Sequence, residues 1–250
     1  MRGRAALTRI LSLLMLVALW ALAARLTADA TVLPAPGALI APAWAEIASG
    51  ELPYHLGRTF IRVFWAFALA MSLGAVLGFA MGRFPAMDRW LDAWLVVFLN
   101  LPALVLIVLC YLWIGLNETA AIVAVTLNKV PNVVAVVREG ARALDPELDA
   151  MARVFRMSPA TRLRHVLVPQ LAPYLSAAGR SGLAIIWKIV LVVEFLGRSN
   201  GIGFKIHLFF QQFDVGMVLI YALSFIAVML AVETFALQPW ERRARRWRAP

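Results

Sequence analysis

The chain has 250 residues, of which 62% are hydrophobic and 15% charged. A soluble globular domain is nearer half apolar and a quarter charged. With a mean hydropathy of +0.80, the balance excludes a disordered chain, a disulfide scaffold and an ordinary cytosolic enzyme, and points to a polytopic membrane protein. Lys and Arg number 24 against 14 Asp and Glu, a net +10, and placement decides what that excess means. The single cysteine, Cys110, can form neither an internal disulfide nor a cysteine metal cluster.

A membrane span needs about 20 apolar residues. Six stretches qualify, at roughly 8–25, 59–82, 93–116, 119–137, 174–195 and 215–237. The first has a basic start (Arg2, Arg4, Arg9), and Ala28-Asp29-Ala30 after it resembles a signal cleavage site. Followed by five more spans, it is expected to remain as an uncleaved helix. The chain divides into 1–57 (first helix and outer loop), 58–237 (a five-helix core) and 238–250 (a basic tail).

Basic residues concentrate on the cytoplasmic side of a membrane protein. With both termini in the cytoplasm, 16 of the 24 basic residues lie there, among them Arg83, Arg89, Arg138, Arg142, Arg153, Arg156, Arg162 and Arg164. Only a few stay outside, among them Arg58, Arg62, Arg198 and Lys205. Arg242-Arg243-Ala244-Arg245-Arg246 follows the last span directly and reads as a lipid-headgroup anchor rather than a nucleic-acid tail.

Gly74, Gly78 and Gly82 recur every four residues on one stripe of the second span, as expected where helices approach closely in lipid. The stripe alone does not say whether its neighbour is the same bundle or a second copy. Asn100 and Pro102 interrupt the third span. Asn128, Lys129, Pro131 and Asn132 are expected to interrupt the fourth. Charge at membrane depth is costly and suggests function. Lys129 and Lys188 could face a pathway for an anionic solute, with Asn100, Asn128 and Glu194 also candidates to line it. Alternatively, a lysine pairs with Glu194 and the rest snorkel to the interface.

The connection at 138–173 is the informative one. Asp145 is an N-cap with Pro146 at the first helical position and Glu147 in the acidic first turn. Leu148, Met151, Ala152 and Phe155 recur at helical spacing. Ser158-Pro159 repeats the start signal, and Pro169 is expected to end the second helix. Two short helices thus meet around Arg156–Met157, and their apolar face must bury against something.

This segment resembles the coupling segment of permease subunits of type I ATP-binding-cassette (ABC) importers. The family motif reads Glu-Ala-Ala, three residues, Gly, nine residues, then Ile-x-Leu-Pro. Here Ala150-Met151-Ala152 stands at the triplet, Arg156 at the glycine and Val166-Leu167-Val168-Pro169 at the end, with the spacing intact. Leu33-Pro34-Ala35-Pro36, Val193-Glu194-Phe195-Leu196-Gly197 and Gly201-Ile202-Gly203 also fit, and the branch most similar is the nitrate/sulfonate/taurine one. Two residues depart from the motif. Ala150 replaces its glutamate, with Glu147 and Asp149 nearby. Arg156 replaces its glycine, where an αL corner would cost arginine about 1 kcal/mol.

The resemblance implies an all-α membrane protein with six transmembrane helices and a cytoplasmic coupling-helix hairpin. It implies a bacterial inner-membrane permease whose termini are both cytoplasmic. A second copy completes the pathway, two separate ATPase subunits bind ATP and Mg, and a periplasmic or lipid-anchored protein delivers a small solute. Neither catalysis nor a cofactor, metal or nucleic acid is expected in this chain. Within the implied coupling helix, Leu148, Met151, Ala152 and Phe155 form the docking face, and Glu147, Ala150, Arg153, Arg156 and Pro169 frame it. The alternative packing puts Leu148 and Phe155 against the chain's own helices.

An ATPase-independent secondary transporter is the rival class, but it usually shows internal repeats, and none is evident. Gly197-Arg198-Ser199-Asn200-Gly201 matches a hydrolase pattern without the strand–turn–helix context that pattern needs. The chain has no phosphate loop of the Gly-x-x-x-x-Gly-Lys-Ser/Thr type, and its histidines, His55, His165 and His207, are far apart in sequence.

Overall fold

A computed structural model describes residues 2–237, and the regular elements among them are all helical. The basic tail at 238–250 lies outside the described residues. A long helix α1 (Arg2–Thr27) is followed by a 3-10 turn (Pro36–Leu39) and α2 (Ile40–Ala48). Then come α3 (Glu51–Arg83), α4 (Pro85–Asn100), α5 (Ala103–Ile114) and α6 (Glu118–Arg142). The informative connection holds α7 (Pro146–Val154) and α8 (Pro159–Arg162), after which α9 (Val168–Gly197), α10 (Ile202–Gln211) and α11 (Val215–Val232) complete the chain.

Among the described residues, three helices are long and apolar enough to cross a membrane alone: Glu51–Arg83, Glu118–Arg142 and Val215–Phe235. α9 has 30 residues but carries Arg180, Lys188 and Glu194. The expected third span is a bent pair, α4 and α5 meeting at 98°. The reason is local: proline clashes with a helical residue before it, and both Leu101 and Pro102 are extended.

Two other proline expectations fail. α6 is helical on both sides of Pro131. The ring removes one backbone bond, but the packing of α3 and α9 on α6 holds the helix together. Nor does Pro169 stop a helix. It sits in the first turn of α9, and a π turn at Leu163–Leu167 joins α8 to α9, with the Val168 N–H donating to the Leu163 carbonyl. The wider turn accommodates a ring that would crowd an α-helical carbonyl.

The core lies where α3, α6 and α9 pack on one another, with α5, α10 and α11 closing one end. Ala66, Ala124, Val125, Ile186, Val190 and Tyr221 are buried there. The glycine stripe of α3 faces α6 of the same chain. A Cβ on Gly78 would lie 2.7 Å from the Val134 carbonyl oxygen and 2.9 Å from Val137 Cβ. One on Gly82 would lie 2.6 Å from Ala141 Cβ. Backbones this close form a dispersion-packed seam that needs no hydrophobic drive. α1 is peripheral and largely exposed; the Trp20 indole donates to the Pro34 carbonyl at 3.1 Å.

Candidate functional site

α7 is capped at both ends. Asp145 Oδ1 accepts from the Glu147 N–H at 2.8 Å, and Pro146 opens the helix. At the other end, the Met157 N–H donates to the Ala152 carbonyl and the Arg156 N–H to the Arg153 carbonyl, both at 3.0 Å. This is a Schellman motif. Its αL position is Arg156, with φ +47°. The corner therefore has the geometry glycine prefers, built with arginine at a cost of about 1 kcal/mol. Ser158 caps α8, its Oγ accepting from the Thr161 N–H at 3.2 Å.

The two faces of α7 differ. Leu148, Met151, Val154 and Phe155 are exposed, the last two by 78% and 72%. Glu147, Ala150, Arg153 and Arg156 are exposed around them. Ala152, expected on the docking face, is instead buried against its own chain at 2% exposure. It lies three residues after Asp149, and that turn points inward. Val154 takes its place on the outer face, unanticipated because the expected stripe ran through position 152. Phe155 does not pack against the chain's own helices, whereas Leu148 is partly covered by them at 38% exposure.

Asp149 is the inward anchor. It is buried and receives Arg83 Nη2, from the end of α3, at 2.8 Å and the Arg162 guanidinium from α8. Burial pushes its carboxyl up, but the Arg162 hydrogen bond and the charges of Arg162, Arg83 and Arg153 outweigh it and hold the carboxyl below the usual value. The Asp145 N–H donates to Gln170 Oε1 of α9 at 2.9 Å.

At the far end of α3, about 32 Å from Arg83 at helical rise, lies a second charged centre. Arg62 is 2% exposed and Glu194 fully buried. Arg62 Nη1 meets Glu194 Oε1 at 2.6 Å, and Arg62 Nε donates to Glu118 Oε2 at 2.8 Å. Glu194 Oε2 accepts from the Thr59 hydroxyl and the Gly203 N–H, each at 2.9 Å. Arg58 and Arg198 also pair with Glu118, and Lys205 with Glu51. Each of these four basic residues thus has a carboxylate partner, the four sharing Glu118, Glu194 and Glu51. The hydrolase-like stretch supplies a loop. Asn200 accepts from Arg62 through its carbonyl and side chain, and the Gly201 N–H donates to His55 Nδ1 at 2.9 Å. Gly201 has φ +110° and presses on the Glu194 carboxylate, so no side chain fits there.

The candidate pathway residues separate accordingly. Glu194 is enclosed with its partners and is a strut of the bundle, not an open lining residue. It pairs with arginine and leaves both candidate lysines unpaired with it. Lys129 is buried at 2% exposure, with its Cε against Gly182, so it does not open to a pathway in this conformation. Lys188 is exposed on α9, Asn128 is half-buried, and Asn100 is exposed with its amide donating to the Val96 carbonyl. Sequence reasoning missed Asp149, Arg62 and Glu118 as partners. The available signal was charge beside apolar runs, which marks a cost without naming the partner. Among the described residues no group of three or more His, Cys, Asp or Glu could hold a metal ion.

Residues 70–238 match the family described as binding-protein-dependent transport system inner membrane component. The chain is 30% identical over 237 residues to a putative aliphatic sulfonates transport permease protein, SsuC, of Escherichia coli (strain K12), covering 93% of this chain and 88% of that one. It is 27% identical over 192 residues to the taurine transport system permease protein TauC of the same strain, covering 74% and 70%. A solved amino acid ABC transporter has the same fold, with a TM-score of 0.62 at 20% identity over 78% of this chain and 95% of that one. The all-helical bundle, the capped helical segment after α6 and the match over most of the chain make this protein a member of that inner-membrane family: a permease subunit of an ABC importer, not an enzyme, whose partners are an ATPase and a substrate-binding protein.

Proposed function

We propose that two copies of this chain form the pathway for a small sulfonate-like anion, and that α7 is the helix an ATPase subunit grips. The exposed apolar face of Leu148, Met151, Val154 and Phe155 carries this reading. Three such side chains on a nine-residue helix and a fourth at its C-cap have no reason to face water, and fully burying one contributes about 1.5–3 kcal/mol. Arg153 and Arg156 form a polar rim around them.

The chain crosses the membrane six times with both termini in the cytoplasm. Support comes from the arginines gathered at the α7 end, where most of the basic residues lie. ATP and Mg are bound by the ATPase subunits. The anionic solute is supported by the relatives' sulfonate and taurine names and by Lys188, a cation left open on a bundle helix.

The test is co-purification with the ATPase, followed by taurine uptake in proteoliposomes carrying the binding protein. Val154→Ser with Phe155→Ser should weaken ATPase retention by at least tenfold and abolish ATP-driven uptake. Undiminished retention would contradict α7 docking, and uptake without ATP would restore the secondary-transporter reading.

A further inference from the structure

Docking alone does not move a membrane bundle: the displacement of α7 must reach a spanning helix. Asp149 stands where that transfer can occur. Its carboxylate lies on the inward face of α7, opposite the exposed apolar side chains. One oxygen meets Arg162 of α8, within the same hairpin, and the other takes Arg83 Nη2 at 2.8 Å. Arg83 is the last residue of α3. Among the described residues no other hydrogen bond or ion pair joins α7 to α3. α3 itself is built to carry a displacement. It is 33 residues long without a break, its glycine stripe is seated in α6, and Arg62 near its far end is gripped by Glu194 and Glu118.

We propose that Asp149 and Arg83 are positioning residues that transmit movement of α7 into α3, so that the ion pair couples ATP binding to rearrangement at the opposite end of the bundle. Arg162 has a different part, holding the hairpin to itself. The inference rests on the proposed docking of α7. It adds that docking and coupling are separable: losing Arg83 should leave the ATPase in place and disconnect it. Arg83 is partly exposed and the hairpin keeps Arg162, Ala152 and the Gln170 bond, so its loss does not unfold α7.

The experiment uses the permease–ATPase complex in lipid, with Cys110→Ala and a nitroxide on Gly57→Cys. Gly57 lies on α3 toward its Glu51 end, and a Cβ there meets nothing within 4 Å. In the wild-type background, ATP with vanadate should shift the label-to-label distance between the two copies. Arg83→Gln should retain the ATPase and its hydrolysis while reducing the shifted population by about tenfold. Arg83→Lys, which keeps the charge, should restore most of it. Arg89→Gln, an exposed arginine of α4, should change nothing. A full shift in Arg83→Gln overturns the proposal, and so does loss of the ATPase from that variant, which would make the ion pair part of docking. Failure of the wild-type chain to hold an ATPase would instead overturn the docking reading, and the coupling role with it.

Discussion

The two ends of α3 treat charge differently. At Arg62, every charged group has a partner within the chain: two glutamates converge on one guanidinium, and a glycine loop closes over Glu194. At Arg83, one buried aspartate is satisfied, but behind it stands a short helix whose apolar side chains and two arginines face outward. The first centre is complete as a single chain. The second has an inner face that is complete and an outer face that is not. A buried ion pair is expensive to form and more expensive to break, so the Arg62 end ties α3 rigidly to α6 and α9, and those helices move together. α7 owes its shape to caps and the two ion pairs of Asp149 and can move as a unit.

This contrast can be broken most severely at the Arg62 tie. Arg62→Leu leaves Glu194 buried without its charge partner and should destabilise the protein by about 3–5 kcal/mol, read as a fall in the detergent melting temperature. The double variant Arg62→Leu with Glu194→Leu should recover much of that loss, because it removes the stranded charge. An Arg62→Leu protein with unchanged melting would refute the rigid tie.

A smaller effect is expected at the corner of α7. Arg156→Gly relieves an αL arginine and should stabilise the hairpin by about 1 kcal/mol. Amide exchange in α7 should slow accordingly, with no change in the rest of the bundle. The smallest effect concerns pH. The Asp149 carboxyl is held below its usual value, so its contribution is complete above the unfolded carboxylate value of about 3.9 and is lost as pH falls through the folded one. The mobility of a nitroxide on Ala150→Cys should therefore stay constant from about pH 8 to about pH 5 and rise only in stronger acid.

What was legible in the sequence follows from the range of each interaction. The caps of α7 and α8 were legible because Asp145-Pro146 and Ser158-Pro159 act on the next few residues. The glycine stripe was legible as a close-packing surface, but its partner, the valines of α6, lies some 60 residues on and needed the fold. The ion pair of Arg62 with Glu194 joins residues 132 positions apart. Several arginines could have claimed that glutamate, so sequence could name the cost but not the partner. Pro131 and Pro169 misled for a shared reason: a proline's local penalty is fixed, but neighbouring packing or a π turn can absorb it. Ala152 was assigned to the wrong face because helical spacing gives a stripe without saying which edge an inward aspartate will claim.

The central claim is that α7 presents its outer face to an ATPase subunit. The direct measurement is site-specific cross-linking from Phe155→Cys in a Cys110→Ala background, with a short thiol-reactive photo-cross-linker in membranes carrying the whole transporter. A cross-linked product containing permease and ATPase, lost when the probe is moved to the buried Ala152 position, is the expected result. Cross-links from position 155 that stay within the permease, with none to the ATPase, would contradict it.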